Sequence, residues 1–251
     1  MPFRFQNNNV ALATFEAIEH DWPERRQPVT LCLRYLADST NRRGDHSGAE
    51  QLYKQAISRG EAYLEQQPAH SQVQSDLCWT CVEYYESILD ESPDRTAEAD
   101  AMLALGIRHA ELMLRRTPDS VQAADVLAAL HFRQALVCCR SGRTDEAIPI
   151  FHQAIGEIEA ICESVPWNTD YWNSAQWFHR ESIQKLHAAH RDDEIDASIK
   201  KTSAWLQRIS PKVANDAIPR QKVLESKTAF MELLRSIGRD HQADKLMDIG
   251  N

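Results

Sequence analysis

The stretch Gly142-Arg143-Thr144-Asp145-Glu146-Ala147-Ile148-Pro149-Ile150-Phe151-His152-Gln153-Ala154 decides the fold. It reads as a turn followed by a helix in which Ala147, Phe151 and Ala154 share one stripe, because positions i, i+4 and i+7 lie on the same helix face. Small residues on that stripe let a neighbouring helix approach closely. The pattern recurs at Ala49, Tyr53, Ala56; at Ala97, Ala101, Ala104; at Ile195, Ile199, Thr202; and at Ala243, Met247, Gly250. Its first positions, 49, 97, 147, 195 and 243, step by 48, 50, 48 and 48 residues. One helical hairpin is therefore written about five times.

Prolines keep the same time. Pro68, Pro118 and Pro166 each stand 29 residues before a triplet, and Pro211 stands 32 before the last. Between these marks the apolar positions follow a helical rather than an alternating period, and glycine is scarce, so the sequence predicts helix throughout and no sheet. The expected helices run over 28–41 and 47–65, 71–89 and 93–116, 121–140 and 145–163, 170–190 and 192–209, then 219–237 and a last one cut short near Met247. In the second pair, Ser92-Pro93 reads as an N-cap followed by a helix-opening proline. Residues 1–27 read as a tail with a short capping helix over Val10 to Glu19, and 28–251 as the repeat domain.

A hairpin of this kind exposes an apolar face that it cannot bury alone, so neighbours must stack. The expected fold is all-α: a right-handed superhelical stack of about five antiparallel hairpins with two helix layers, each helix ~20 residues or ~30 Å long.

The motif Gly-x-x-x-x-Ala-x-x-x-Phe-x-x-Ala at Gly142 to Ala154, with a proline after each second helix, resembles the tetratricopeptide repeat. The resemblance covers residues 28–250 and departs from the family in two ways. The family's unit is about 34 residues, and the aromatic and glycine of its first helix are mostly replaced, as in Leu33 to Ala37, Cys81 to Tyr85 and His131 to Ala135. It implies a divergent, long-helix α-solenoid that works as a protein-interaction scaffold, with a protein or peptide partner held against the first helices.

On those first helices, Trp79 and Trp177 stand 18 residues before the triplets at 97 and 195, and Arg34 and Arg180 stand 15 before those at 49 and 195. Arg42, Arg140 and Arg235 close three of them. Aromatics and arginines are the usual anchors of a partner. Trp167 to Arg180 is the densest such segment: Tyr171, Ala175, Phe178 and Ser182 form its buried stripe, which leaves Trp167, Trp172 and Trp177 partly off it. The expected partner-binding residues are thus Arg34, Trp79, Arg140, Trp172, Trp177 and Arg180. The family members that grip chaperone tails use a lysine and asparagine clamp; the comparable positions here are Arg34, Asp38, Val82 and Glu86, whose acids repel a carboxylate.

Composition narrows the partner. A net charge of −9 and a pI near 5.6 disfavour nucleic acid and anionic membranes, both of which need a basic footprint. The first residues lack a secretory leader and no apolar run approaches a membrane span, so the expected location is cytoplasmic. Six irregularly spaced cysteines fit a reducing compartment better than a disulfide framework.

Cys78-Trp79-Thr80-Cys81 has the spacing of a redox pair or half a zinc site, but its complement, Cys138-Cys139, sits out of register along the next first helix. Ordinary thiols are expected. His187 and His190 before Asp192, Asp193 and Glu194 read as a helix end meeting an acidic helix start rather than a metal site. Phosphate loops and the motifs of zinc proteases and serine hydrolases are absent. The expectation is a non-enzymatic scaffold with no cofactor or metal. The alternatives are a sensor that binds a small ligand or signalling peptide near Trp79, Trp177 and Arg180, and, less favoured, an enzyme built on the histidines. The short last hairpin suggests self-association through the C-terminal end.

Overall fold

The computed structural model describes residues 27–247, so the predicted helix at Val10 to Glu19 and Gly250 of the last triplet lie outside the described residues. Among the described residues there are ten α-helices, one 3-10 turn and no strand. The helices are α1 (Gln27–Asn41), α2 (His46–Gln66), α3 (Ser71–Glu91), α4 (Thr96–Arg116), α5 (Val121–Arg140), α6 (Thr144–Ser164), α7 (Thr169–Ala188), α8 (Asp192–Ile209), α9 (Ala217–Ser236) and α10 (Asp240–Met247). The 3-10 turn, Ser210–Val213, follows α8.

The chain forms two compact units that meet inside α5, one ending at Leu130 and the other beginning at His131. In the first unit α1 pairs with α2 and α3 with α4, while α1 also packs on α3 as a neighbouring first helix. In the second, α7 pairs with α8 and α9 with α10; α7 also packs on α9, and α6 on α8. First helices thus stack on first helices and second on second, as a repeated hairpin requires.

Four of the five triplets can be read fully, and three are buried as expected: Ala49, Tyr53, Ala56; Ala147, Phe151, Ala154; and Ile195, Ile199, Thr202. Ala243 of the last is buried too. The second is displaced by two residues. Ala97, Ala101 and Ala104 face water, and the buried stripe of α4 is Ala99, Leu103 and Gly106. Alanine is both a seam residue and a good exposed helix former, so three of them at the right spacing do not fix a face. The close approach instead needs Gly106, where an added Cβ would stand 2.7 Å from Leu130 Cδ2 and 3.2 Å from Cys81 Cβ. With Ala99 as anchor, the last four units begin at 99, 147, 195 and 243, 48 residues apart each time.

The turns carry the same period. Gly142 and Gly238 have φ of 73° and 77°, and His190, midway between them, holds φ 55°. The next amide in each case bonds back five residues: Arg143 to Cys138, Arg191 to Leu186 and Arg239 to Leu234. This is the Schellman helix end, which wants a left-handed residue at that point. His190 therefore occupies a glycine position, and its place is explained by backbone rather than by a ligand. Among the described residues, no group of three or more His, Cys, Asp or Glu is placed to hold a metal ion.

Arginine recurs at 95, 143, 191 and 239, again 48 apart, at the start of the last four second helices, while Asp45 precedes the first. Arg95 reaches Glu50 at 3.0 Å, Arg191 reaches Asp145, and Arg239 reaches Asp192 and Asp196. Each ties one second helix to the one before it. A cation at a helix N-terminus opposes the helix dipole, and these carboxylates offset it. The start of α4 differs from the expectation: Pro93 lies in the turn and Arg95 is the N-cap.

Candidate functional site

The expected site residues divide between the units. In the first, Arg34 is 8% exposed; its Nε lies 3.8 Å from Glu83 Oε1 and its guanidinium rests over the Tyr35 ring. Burial pushes the Glu83 carboxyl up to about 7, although Arg34 draws it down, while Asp38 and Glu86 push the same way as burial. Trp79 is half-buried on α3. Its match to Trp177 rested on the displaced triplet: measured from Ala99, the position equivalent to Trp177 is the buried Cys81.

Cys78 and Cys81 are core residues. The Cys78 Sγ donates to the Gly106 carbonyl at 3.4 Å, and burial pushes both thiols up, Cys81 to about 12. Protonated, buried thiols neither attack nor ligate.

In the second unit Arg140 is exposed at the end of α5. Trp172 corrects the sequence reading. Expected off the buried stripe and offered to a partner, it is fully buried, donates its indole N–H to the Pro166 carbonyl at 2.9 Å, and packs against Trp205 with ring centres 5.5 Å apart. Tyr171 takes the half-exposed position instead. Trp172 is therefore core, since no part of it is left for a partner.

Trp177 and Arg180, by contrast, come together on one pocket of about 220 Å³ framed by α7, α8 and α9. Trp177, Trp205, Leu206, Phe230 and Leu233 supply its apolar lining, and Asn173, Gln176, Ser226 and Arg180 its polar one. Trp177 is fixed from behind by Phe132, 4.9 Å between centres, and by the Arg133 guanidinium over its ring at 5.4 Å. Gln176 donates to Ser226 at 2.8 Å and so joins α7 to α9.

Two features give this pocket a chemistry. The Trp205 indole is 1% exposed and its Nε1–H has no acceptor among the described residues, which leaves a buried donor for an incoming carbonyl or carboxylate. Arg180 stands exposed and, among the described residues, pairs only with Glu181 at 3.8 Å, so its guanidinium is open to an anion. Neither Trp205 nor Phe230 was singled out from the sequence. They belong to later helices, and only packing joins them to Trp177.

No helix among the described residues is long and apolar enough to cross a membrane. No protein-family model matches the chain, and no curated protein matches it. Among solved structures it is similar to BtubC (BKLC) from P. vanneervenii at 12% identity, over 97% of this chain and 86% of that one, with a TM-score of 0.57. Weaker matches are human IFIT1, from a dimer with PPP-AAAA (17% identity, 94% and 51% coverage, TM-score 0.30), and the de novo designed helical repeat protein DHR64 (14%, 88% and 99%, TM-score 0.27). The ten helices among the described residues, paired as a recurring hairpin, give the chain an all-α helical-repeat fold.

Proposed function

We propose that the chain is a non-enzymatic, divergent tetratricopeptide-type scaffold that captures a peptide segment of a partner protein in its second unit. The observation that carries this reading is the α7–α9 pocket, with an apolar lining, a buried unpartnered indole N–H and an exposed arginine. At about 220 Å³ it falls below the ~300–1,000 Å³ usual for small-molecule sites. It suits one large side chain inserted from a longer segment, an anchor of the kind that dominates interface energies.

The segment's chemistry follows from the lining. A large apolar residue fills the space between Trp177 and Phe230, its own backbone carbonyl accepts from Trp205, and an adjacent acidic residue pairs with Arg180. Selection from a displayed random-peptide library on the intact chain tests this. The expected winners pair one large apolar residue with a neighbouring Asp or Glu, and bind Trp177→Ala and Arg180→Glu at least tenfold more weakly. Winners that ignore both substitutions would remove the proposal.

A further inference from the structure

A second cavity, of about 300 Å³, lies within the same unit between α6 and α8, with His179 of α7 lining it. Three of the residues that line it each carry a buried side-chain atom with no hydrogen-bond partner among the described residues: His152 Nε2, Glu159 Oε1 and His179 Nε2. Orphaned buried polar atoms are rare because each costs most of its desolvation penalty. Three around one space point to something that binds there.

The proton inventory sharpens this. The Thr202 hydroxyl lies 3.0 Å from the Ser198 carbonyl, the usual donation of a helical threonine to the residue four back. The same oxygen lies 2.9 Å from His179 Nδ1 and accepts from it in the tautomer that carries the ring hydrogen there. With Nδ1 carrying the ring hydrogen, His179 Nε2 is a bare lone pair, and it stands 3.2 Å from Glu159 Oε1, off the line of a hydrogen bond. Two acceptors side by side repel, and a group with several N–H bonds that bridged them from the cavity would satisfy both.

The outer end has the opposite sign. Lys201 is exposed on the cavity wall and has no ion-pair partner among the described residues; its charge, after burial, helps hold the nearby His152 down from its ordinary value. Arg208, also on the wall, is engaged by Glu163. Gly156 completes the lining, in the middle of α6, where an added Cβ would meet nothing within 4 Å. A helix-interior glycine with no steric reason to be glycine costs ~1 kcal/mol against alanine, and here it keeps the cavity open.

We propose that this cavity is a binding site for a small zwitterion, a free α-amino acid, with its ammonium group bridging Glu159 and His179 from the cavity and its carboxylate on Lys201. The site does not depend on the peptide pocket, although His179 and Thr202 line both spaces.

Calorimetric titration of the intact chain with each of the common free amino acids tests it, at concentrations up to roughly ten times a millimolar Kd. At least one is expected to bind with one-to-one stoichiometry. Its decarboxylated amine and its deaminated acid are each expected to bind at least tenfold more weakly. Gly156→Leu, which fills the space beside His152 and Glu159, is expected to abolish binding, Lys201→Glu to weaken it at least tenfold, and Ala229→Trp in the peptide pocket to leave it unchanged. The proposal is overturned if no amino acid binds the wild type, if either one-charge analogue binds as well as the zwitterion, or if a folded Gly156→Leu protein retains the affinity.

Discussion

Two glycine-to-alanine substitutions separate the seam from the open surface. In a helix interior either change gains ~0.5–1 kcal/mol, because alanine loses less backbone entropy on folding. At Gly106 the new methyl would stand 2.7 Å from Leu130 Cδ2 and 3.2 Å from Cys81 Cβ. Leu130 and Cys81 are both fully buried, so neither has free space to yield, and overpacking of this kind costs ~1–3 kcal/mol. The net expectation for Gly106→Ala is a loss of up to about 2.5 kcal/mol. At Gly156 nothing lies within 4 Å, and the whole gain of up to ~1 kcal/mol survives. With a urea slope of about 2–3 kcal/mol per molar, each kcal/mol moves the unfolding midpoint, read by far-ultraviolet circular dichroism, by ~0.3–0.5 M. The two shifts should have opposite signs. A Gly106→Ala protein at least as stable as wild type would refute the reading that α4 presents Ala99, Leu103 and Gly106 to its neighbours.

Three further outcomes follow from the packing and charge. His190→Gly should raise stability by ~1 kcal/mol, since a left-handed non-glycine residue costs about that much, and thermal unfolding would show it. Trp172→Ala should lower stability by ~3–5 kcal/mol, the scale of a large aromatic removed from a core; a change below ~1 kcal/mol would return Trp172 to the surface. Glu83 holds its proton in the folded chain up to about pH 7 but loses it near 4.5 when unfolded. The native state therefore binds more protons between those values, and stability falls as pH rises through that window. Glu83→Gln should flatten the fall and make the protein more stable than wild type at pH 8; an unchanged pH profile would contradict the burial argument.

The helices were legible because their signals are local. Apolar period, prolines and turn glycines placed ten helices to within a few residues, and the triplets gave the hairpin repeat. What failed was register in α4, where alanines sit on both faces and the deciding residue, Gly106, is defined by Leu130 and Cys81 across space. A stricter signal was present in the arginines at 95, 143, 191 and 239. Their unbroken 48-residue step selects Ala99 over Ala97. Site residues were harder: Trp177 and Arg180 share a helix and were found together, while Trp205 and Phe230 reach them only through tertiary packing. Trp172 was misplaced for the same reason, because Trp205 and the Pro166 carbonyl that enclose it leave no trace in the helical period. His152, Glu159, His179 and Lys201 come from three helices, and a helical spacing joins only the first two.

The central claim is that a partner's side chain enters the space between Trp177 and Phe230. Ala229 is exposed and lines that space, so Ala229→Trp plugs it without disturbing the core. Calorimetry of one selected peptide against wild type and Ala229→Trp measures the claim directly. A lost anchor of about 2 kcal/mol predicts a Kd about thirtyfold weaker at an unchanged unfolding midpoint, and equal affinity for the two proteins would contradict it.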